Sequence, residues 1–281
     1  LGADRRRAGP RPDGTATTLV RLEMLGAVAR ITLGRPEVLN ALSRELAERT
    51  MAALEDATGQ GARAIVLAGA GRAFSAGADL AGFDELRQKD VASVPAAIGR
   101  DMREVLNPLT QAIAESPVPV VCAIQGACAG GSVGVALAAD VVLMARSSYL
   151  LIPQVAQLGI VPDLGATWWM PRLAGRARAL GAMLLGERVG AEQAAAWGLV
   201  WACVDDAALA DEALRLAERL ARTPSAVVRA TRELVDAAPE ATLVEQLEAE
   251  RQVQIGFLGT AHFHERVARF LTAPKKDRKG G

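Results

Sequence analysis

The chain has 281 residues, with 32 basic and 32 acidic side chains and a formal net charge of zero. That length suits one large domain, or a domain with a helical appendage, and is enough to bury a substantial core. The even charge balance gives no ground for a polyanion partner or for electrostatic capture by a bilayer, so neither nucleic acid nor membrane is expected as a partner. Cys122, Cys128 and Cys203 each lie in an apolar stretch without CxxC spacing, which fits buried reduced thiols and a cytoplasmic location.

Residues 1–18 are polar, basic and rich in proline and glycine, and they read as a disordered arm. The arginines at 5–7 are not followed by the apolar centre a secretory signal requires. The most apolar long window, 126–145, holds several glycines and Asp140. It divides into loop, helix and strand instead of forming a membrane span.

In chain order, residues 19–33 alternate around Gly26, predicting a hairpin with one face buried. Gly34-Arg35-Pro36 ends it, and Ser43 is placed to cap a helix in which Ala47, Met51 and Leu54 share a face. The run 64–68 (AIVLA) predicts a strand buried on both faces. Ile98, Met102, Val105, Leu109 and Ile113 recur at helical spacing, and Pro117 and Pro119 stop that helix before a strand at 120–124. A glycine-rich stretch at 126–131 leads into a helix over 130–139 and a strand over 141–145. Beyond Gly159 the spacing is helical over 176–185, 192–197, 211–221, 225–237 and 243–258, with one strand at 199–204. An α/β core over 19–206, a C-terminal helical region over 207–272 and a tail over 273–281 follow from this order.

Two glycine-bearing loops each follow an apolar strand: Ala73-Phe-Ser-Ala-Gly-Ala-Asp-Leu80 and Gln125-Gly-Ala-Cys-Ala-Gly-Gly-Ser-Val-Gly134. Neither carries a phosphate fingerprint. Small residues there let backbone N–H groups approach a ligand closely, and a helix starting near Gly131 would add its positive end, which is an oxyanion hole in outline. Together the two loops resemble the oxyanion-hole motifs of the crotonase, or enoyl-CoA hydratase/isomerase, superfamily. Three further segments resemble it in the right order: Gly34-Arg-Pro-Glu-Val-Leu-Asn-Ala-Leu42, Gly159-Ile-Val-Pro-Asp-Leu-Gly-Ala-Thr167 and residues 191–200 (AEQAAAWGLV).

That resemblance implies an α/β fold, a crotonase-like spiral of ββα units with a C-terminal helical trimerisation region, and an acyl-CoA substrate. It implies no cofactor beyond the coenzyme A of the substrate, no metal, and a homotrimer or a hexamer. By the same resemblance Ala78 and Gly131 supply the two N–H groups. Arg35, Phe270 and Lys275 become candidates for the CoA nucleotide portion, and Val38, Leu39, Ala76, Gly77, Asp79, Leu80, Gly130, Gly134 and Val155 for the rest of the substrate site. Physically, a thioester acidifies its α-carbon only if the charge that develops on the carbonyl oxygen is stabilised. Losing one preorganised donor costs on the order of a hundredfold or more in rate.

Hydratases of this family use two glutamates. On their motifs this chain carries Gly134 and Val155, the latter beside Gln154. One acid stays on a matching motif, Asp163, and one carboxylate suffices for a 1,3-proton shift. Residues 159–206 resemble the phenylacetate-pathway isomerases that rearrange a ring-epoxide CoA ester to an oxepin. Asp163 also suits a helix N-cap, and an aspartate there is a nucleophile in the related 4-chlorobenzoyl-CoA dehalogenases. A hydratase with a recruited second acid, or a binding protein without chemistry, are the other readings. Asp79 reads as a cap or loop anchor, and Asp140 as the partner of a helix end. Asp84 and Glu85, in a polar stretch at 81–95 that could form a lid, are reserve bases. The tryptophans are expected in the core, with Trp168 or Trp169 able to line a ring-shaped pocket. His262 and His264 read as a solvated helix start.

Overall fold

The structure, a computed structural model, describes residues 18–272. The tail at 273–281 and the arm, apart from Thr18, lie outside them. Strands β1 (Val20–Leu25) and β2 (Val28–Leu33) form the expected antiparallel hairpin about Gly26. Helix α1 (Arg44–Gly59) follows, its first turn closed by a hydrogen bond from the Leu46 amide to Ser43 Oγ. Then come β3 (Ala64–Gly69) and α2 (Leu80–Lys89), and next α3 (Val94–Asp101), a π-helical turn (Met102–Leu106) and α4 (Asn107–Ala114), all of helical backbone. The wide turn precedes Pro108, which has no N–H to give the Glu104 carbonyl; the Asn107 amide donates to the Met102 carbonyl instead.

Strands β4 (Val120–Ile124) and β5 (Ala127–Ala129), helix α5 (Gly131–Leu137), and strands β6 (Val141–Ala145) and β7 (Tyr149–Leu151) continue the core. A second π-helical turn (Gln154–Leu158) leads to α6 (Ala166–Ala174), α7 (Arg176–Leu185), β8 (Val189–Gly190), α8 (Ala191–Ala196) and β9 (Ala202–Val204). Helices α9 (Leu209–Leu220), α10 (Ser225–Ala237), α11 (Leu243–Leu258) and α12 (Ala261–Thr272) complete the described chain.

One sheet runs β1-β2-β3-β4-β6-β9, parallel throughout except for the opening hairpin. A smaller sheet runs β5-β7-β8. Along the central strands residues alternate between two cores. Ile31, Ile65, Leu67, Cys122, Ile124 and Met144 face one, and Val28, Val66, Val121, Ala123 and Leu143 face the other. The second face is covered by α9, where Ala213, Ala217 and Ala221 follow at helical spacing and let the helix approach closely. Burying a large aliphatic side chain contributes about 1.5–3 kcal/mol, so this two-sided burial holds the small-residue strands in place.

The structure corrects several expectations. The opening hairpin is not buried on one face alone: β2 is buried on both, because α1 packs on one side of it and α9 on the other. Strands β5, β7 and β8 were not expected, since each is short and depends on non-local partners. The polar stretch 81–95 is largely helical. Trp168 and Trp201 are exposed, the former carrying Arg172 stacked on its ring at 3.2 Å, while Trp169 and Trp197 pack partly against the core. No described helix is long and apolar enough to cross a membrane.

Candidate active site

Three loops meet at the ends of the parallel strands. The first, 34–42, folds around Asn40, fully buried and with φ of 54°. Asn40 Oδ1 accepts from the Arg35 amide at 2.9 Å, and its Nδ2 donates to the carbonyls of Ala70 and Ala73 at 2.9 and 2.8 Å. Asn40 thereby ties this loop to the next. The Leu42 amide donates to the Gly77 carbonyl at 2.7 Å, and the Asp79 amide to the Leu42 carbonyl at 3.2 Å. In that parallel bridge the N–H of Ala78, the residue between, faces away from Leu42.

The second loop aligns with the third through a one-residue ladder. The Ser75 amide donates to the Ala127 carbonyl at 3.1 Å and the Ala129 amide to the Ser75 carbonyl at 3.0 Å. Ser132 Oγ reinforces the ladder by donating to the Ser75 and Ala129 carbonyls. At Gly77, with φ of 85°, a Cβ would lie 2.5 Å from the Ala129 carbonyl oxygen, so the two loops touch backbone to backbone. The Gly130 amide donates to Leu151. The next amide, Gly131 at the start of α5, donates to no protein acceptor among the described residues, and neither does Ala78. Ala78 is exposed and Gly131 buried.

Asp163 stands beside Gly131. Its Oδ1 lies 2.8 Å from where a Cβ on Gly131 would sit. Burial raises the Asp163 pKa, opposed in part by the Gln154 side-chain amide, which donates from Nε2 to Oδ1 at 3.3 Å. Helix α6 begins at Ala166 behind Gly165 and has no side-chain cap, so the Asp163 carboxylate does not cap it; only the Asp163 backbone carbonyl takes the Ala166 amide. The expected cap role gives way to a carboxylate turned toward the loops.

The glutamate positions also resolve. At Gly134 a Cβ would lie 2.1 Å from the Leu164 carbonyl oxygen and 2.7 Å from the Ala166 nitrogen, so the Leu164–Gly165 turn fills the space a side chain would need. Gly134 is a packing position. At the second, Val155 is half-buried, and its neighbour Gln154 is the residue whose side chain reaches Asp163 and the neighbourhood of Gly130. The spacing gave no signal for Gln154, because a π-helical turn sets its direction.

Arg35 Nη1 donates to Asp79 Oδ2 at 2.7 Å and to the Ala41 carbonyl, and Asp79 Oδ1 accepts from the Gly82 amide at the start of α2. Burial raises the Asp79 pKa, but Arg35 and the α2 amides outweigh it and leave it lowered. Asp79 is thus a loop anchor. Val38 and Leu80 are exposed at the rim, and Leu39 and Ala76 are half-buried. Asp84 is tied to Arg87 and Gln88 on its own helix; Glu85 lies on α2. Asp140 closes no helix end: it accepts from the Val120 amide and, through both oxygens, from Arg232 of α10. Phe270 is exposed on α12, and Lys275 lies outside the described residues. His262 and His264 open α12, and no group of three or more metal-ligating side chains occurs among the described residues.

Comparison with known proteins identifies the family. The sequence model of the enoyl-CoA hydratase/isomerase family matches residues 23–279. "Probable enoyl-CoA hydratase" of Rhodobacter capsulatus is 42% identical over 253 residues, covering 90% of this chain and 94% of that protein. The 1,2-epoxyphenylacetyl-CoA isomerase of Escherichia coli K12 is 38% identical over 245 residues, covering 87% and 92%. The crystal structure of an enoyl-CoA hydratase from Polaromonas sp. JS666 superposes with a TM-score of 0.82 at 29% identity, covering 90% of this chain and 96% of that one. The chain therefore belongs to the enoyl-CoA hydratase/isomerase family of acyl-CoA enzymes and has the crotonase fold.

Proposed function

We propose that the protein is an acyl-CoA isomerase in which the amides of Ala78 and Gly131 hold the thioester oxygen and Asp163 moves the proton. One observation carries this reading: the half-buried Asp163 carboxylate, without a cationic partner among the described residues, stands at the unpaired Gly131 amide, while the position of one hydratase glutamate, Gly134, has no room for a side chain and the other is Val155. In a double-bond shift, Asp163 takes the α-proton of a 3-enoyl thioester, charge moves onto the carbonyl oxygen as a dienolate, and the same proton returns to the γ-carbon. The kinship with the E. coli 1,2-epoxyphenylacetyl-CoA isomerase favours a ring-bearing acyl group and a ring-epoxide rearrangement as the specific form. Arg35, Val38, Leu39, Ala76, Gly77, Leu80, Phe270 and Lys275 are proposed to hold the CoA ester.

The competing reading is an enoyl-CoA hydratase, favoured by the name of the R. capsulatus relative. Absorbance assays with 3-hexenoyl-CoA, a ring-epoxide CoA ester and crotonyl-CoA separate the two. Turnover of either of the first two that is lost in Asp163→Asn supports the isomerase, and hydration of crotonyl-CoA that survives in Asp163→Asn overturns it. Exposed Leu243, Val244, Leu247 and Ile255 on α11 and Phe263 and Val267 on α12 form an apolar surface suited to a homotrimer or a dimer of trimers.

A further inference from the structure

We propose that Gln154 is the positioning residue of the proton transfer: its side-chain amide pins one oxygen of Asp163 against the second glycine loop and leaves the other to carry the proton. This rests on the reading of Asp163 as the base. Gln154 is only 4% exposed, and its Nε2 reaches Asp163 Oδ1 at 3.3 Å. The same Oδ1 is packed against Gly131, and the same Nε2 lies 3.6 Å from where a Cβ on Gly130 would be. The amide and the carboxylate oxygen therefore both abut the loop that bears the Gly131 donor, side by side. Oδ2 accepts from no other residue among the described ones.

The far end of the side chain supplies the second observation. Gln154 Oε1 is buried and has no hydrogen-bond partner. A buried unpaired carbonyl is unfavourable, and leucine or methionine would fill the same space without one. The amide is retained at that cost for its N–H on Asp163. A 1,3-shift demands that one carboxylate oxygen meet two carbons in turn, so a carboxyl group free to rotate would lose the proton's placement. Helix α5 and the turn at 154–158 carry no charged side chain, α6 carries Arg172, which stacks on Trp168, and among the described residues Gln154 is the one side chain that hydrogen-bonds the Asp163 carboxylate. Its donor favours the ionised form, against burial.

The experiment compares wild type with Gln154→Met, Gln154→Leu and Gln154→Glu in two readouts. One is kcat and KM for 3-hexenoyl-CoA, or for whichever CoA ester is turned over, against pH. The other is the titration of the Asp163 carboxyl carbon in unliganded protein, followed by 13C NMR and assigned with Asp163→Asn. In Met and Leu the expected loss in kcat is about ten- to a hundredfold, the cost of misplacing a reacting group. KM is expected to stay within about threefold. The acid limb of kcat/KM and the carboxyl titration both move to higher pH, and further still in Gln154→Glu, where a like charge faces Asp163. Superposing titrations with kcat within about twofold of wild type overturn the inference. The Met variant keeps the test readable if Leu fails to fold, and the titration needs no substrate. If Asp163→Asn retains turnover, it is the base assignment that fails; if Asp163→Asn is inactive while Gln154→Met behaves as wild type, only the role of Gln154 fails.

Discussion

Replacing Gly134 with alanine tests the packing that closes the hydratase slot. On an exposed helix this change gains up to about 1 kcal/mol from helix propensity. Here the new Cβ would lie 2.1 Å from the Leu164 carbonyl oxygen and 2.7 Å from both the Leu164 carbonyl carbon and the Ala166 nitrogen, more than half an ångström inside ordinary contact at every point. All three atoms are backbone, in a turn whose Leu164 and Gly165 already have positive φ, so none can swing aside as a side-chain tip would. Overpacking of this kind costs about 1–3 kcal/mol and sometimes more. With rigid backbone as the obstacle the upper end applies, for a net destabilisation of about 2 kcal/mol after the propensity gain. At roughly 2–4 °C per kcal/mol for larger domains, the melting temperature should fall by about 4–8 °C. Gly181→Ala is the control, because a Cβ there meets nothing within 4 Å; it should leave the melting temperature unchanged or raise it. Circular dichroism melts of the three proteins decide the matter. A Gly134→Ala midpoint at or above wild type refutes the packing reason for the missing glutamate, as does any gain of crotonyl-CoA hydration in Gly134→Glu.

Asn40→Ala removes the acceptor of the Arg35 amide and the donors to the Ala70 and Ala73 carbonyls, and should destabilise by about 3 kcal/mol in urea unfolding; a shift below about 1 kcal/mol would mean the loops stand without it. Arg232→Met leaves Asp140, partly buried, with the Val120 amide alone and should cost about 1–3 kcal/mol. An unchanged denaturant midpoint would show that α10 is not anchored through this pair. Burial raises the Asp163 pKa in the folded protein, so the folded state holds its proton to higher pH than the unfolded chain. Asp163 therefore destabilises the fold as pH rises from the ordinary value of 3.8 through the raised one. Asp163→Asn should thus be at least as stable as wild type at neutral pH, the advantage vanishing below about pH 3.8; a variant less stable at neutral than at acid pH, relative to wild type, contradicts this.

The parallel strands were legible because burial on both faces writes itself as unbroken apolar runs, as at 64–68 and 120–124. Helix α1 was legible from Ser43 and its spaced apolar face, and α9 and α10 from amphipathic spacing. What escaped was set by distant partners. Strand β5 reads as a glycine-rich turn, and becomes a strand only because β7 pairs with it. The π-helical turn at 154–158 carries no local mark, so the motif position falls on Val155 and the sequence names no partner for Asp163, where the structure supplies Gln154. Asp140 lies next to a helix end in sequence, yet its partner Arg232 is 92 residues away. The glycines at 77 and 130 were readable as a close approach of two loops, because residues this small permit two backbones to touch.

A crystal structure with a bound saturated acyl-CoA tests the central claim most directly. The account predicts the thioester oxygen about 2.7–3.1 Å from the backbone nitrogens of both Ala78 and Gly131, with the α-carbon facing Asp163 Oδ2. A thioester carbonyl held by other donors, or an acyl chain whose α-carbon lies out of reach of Asp163, would contradict it.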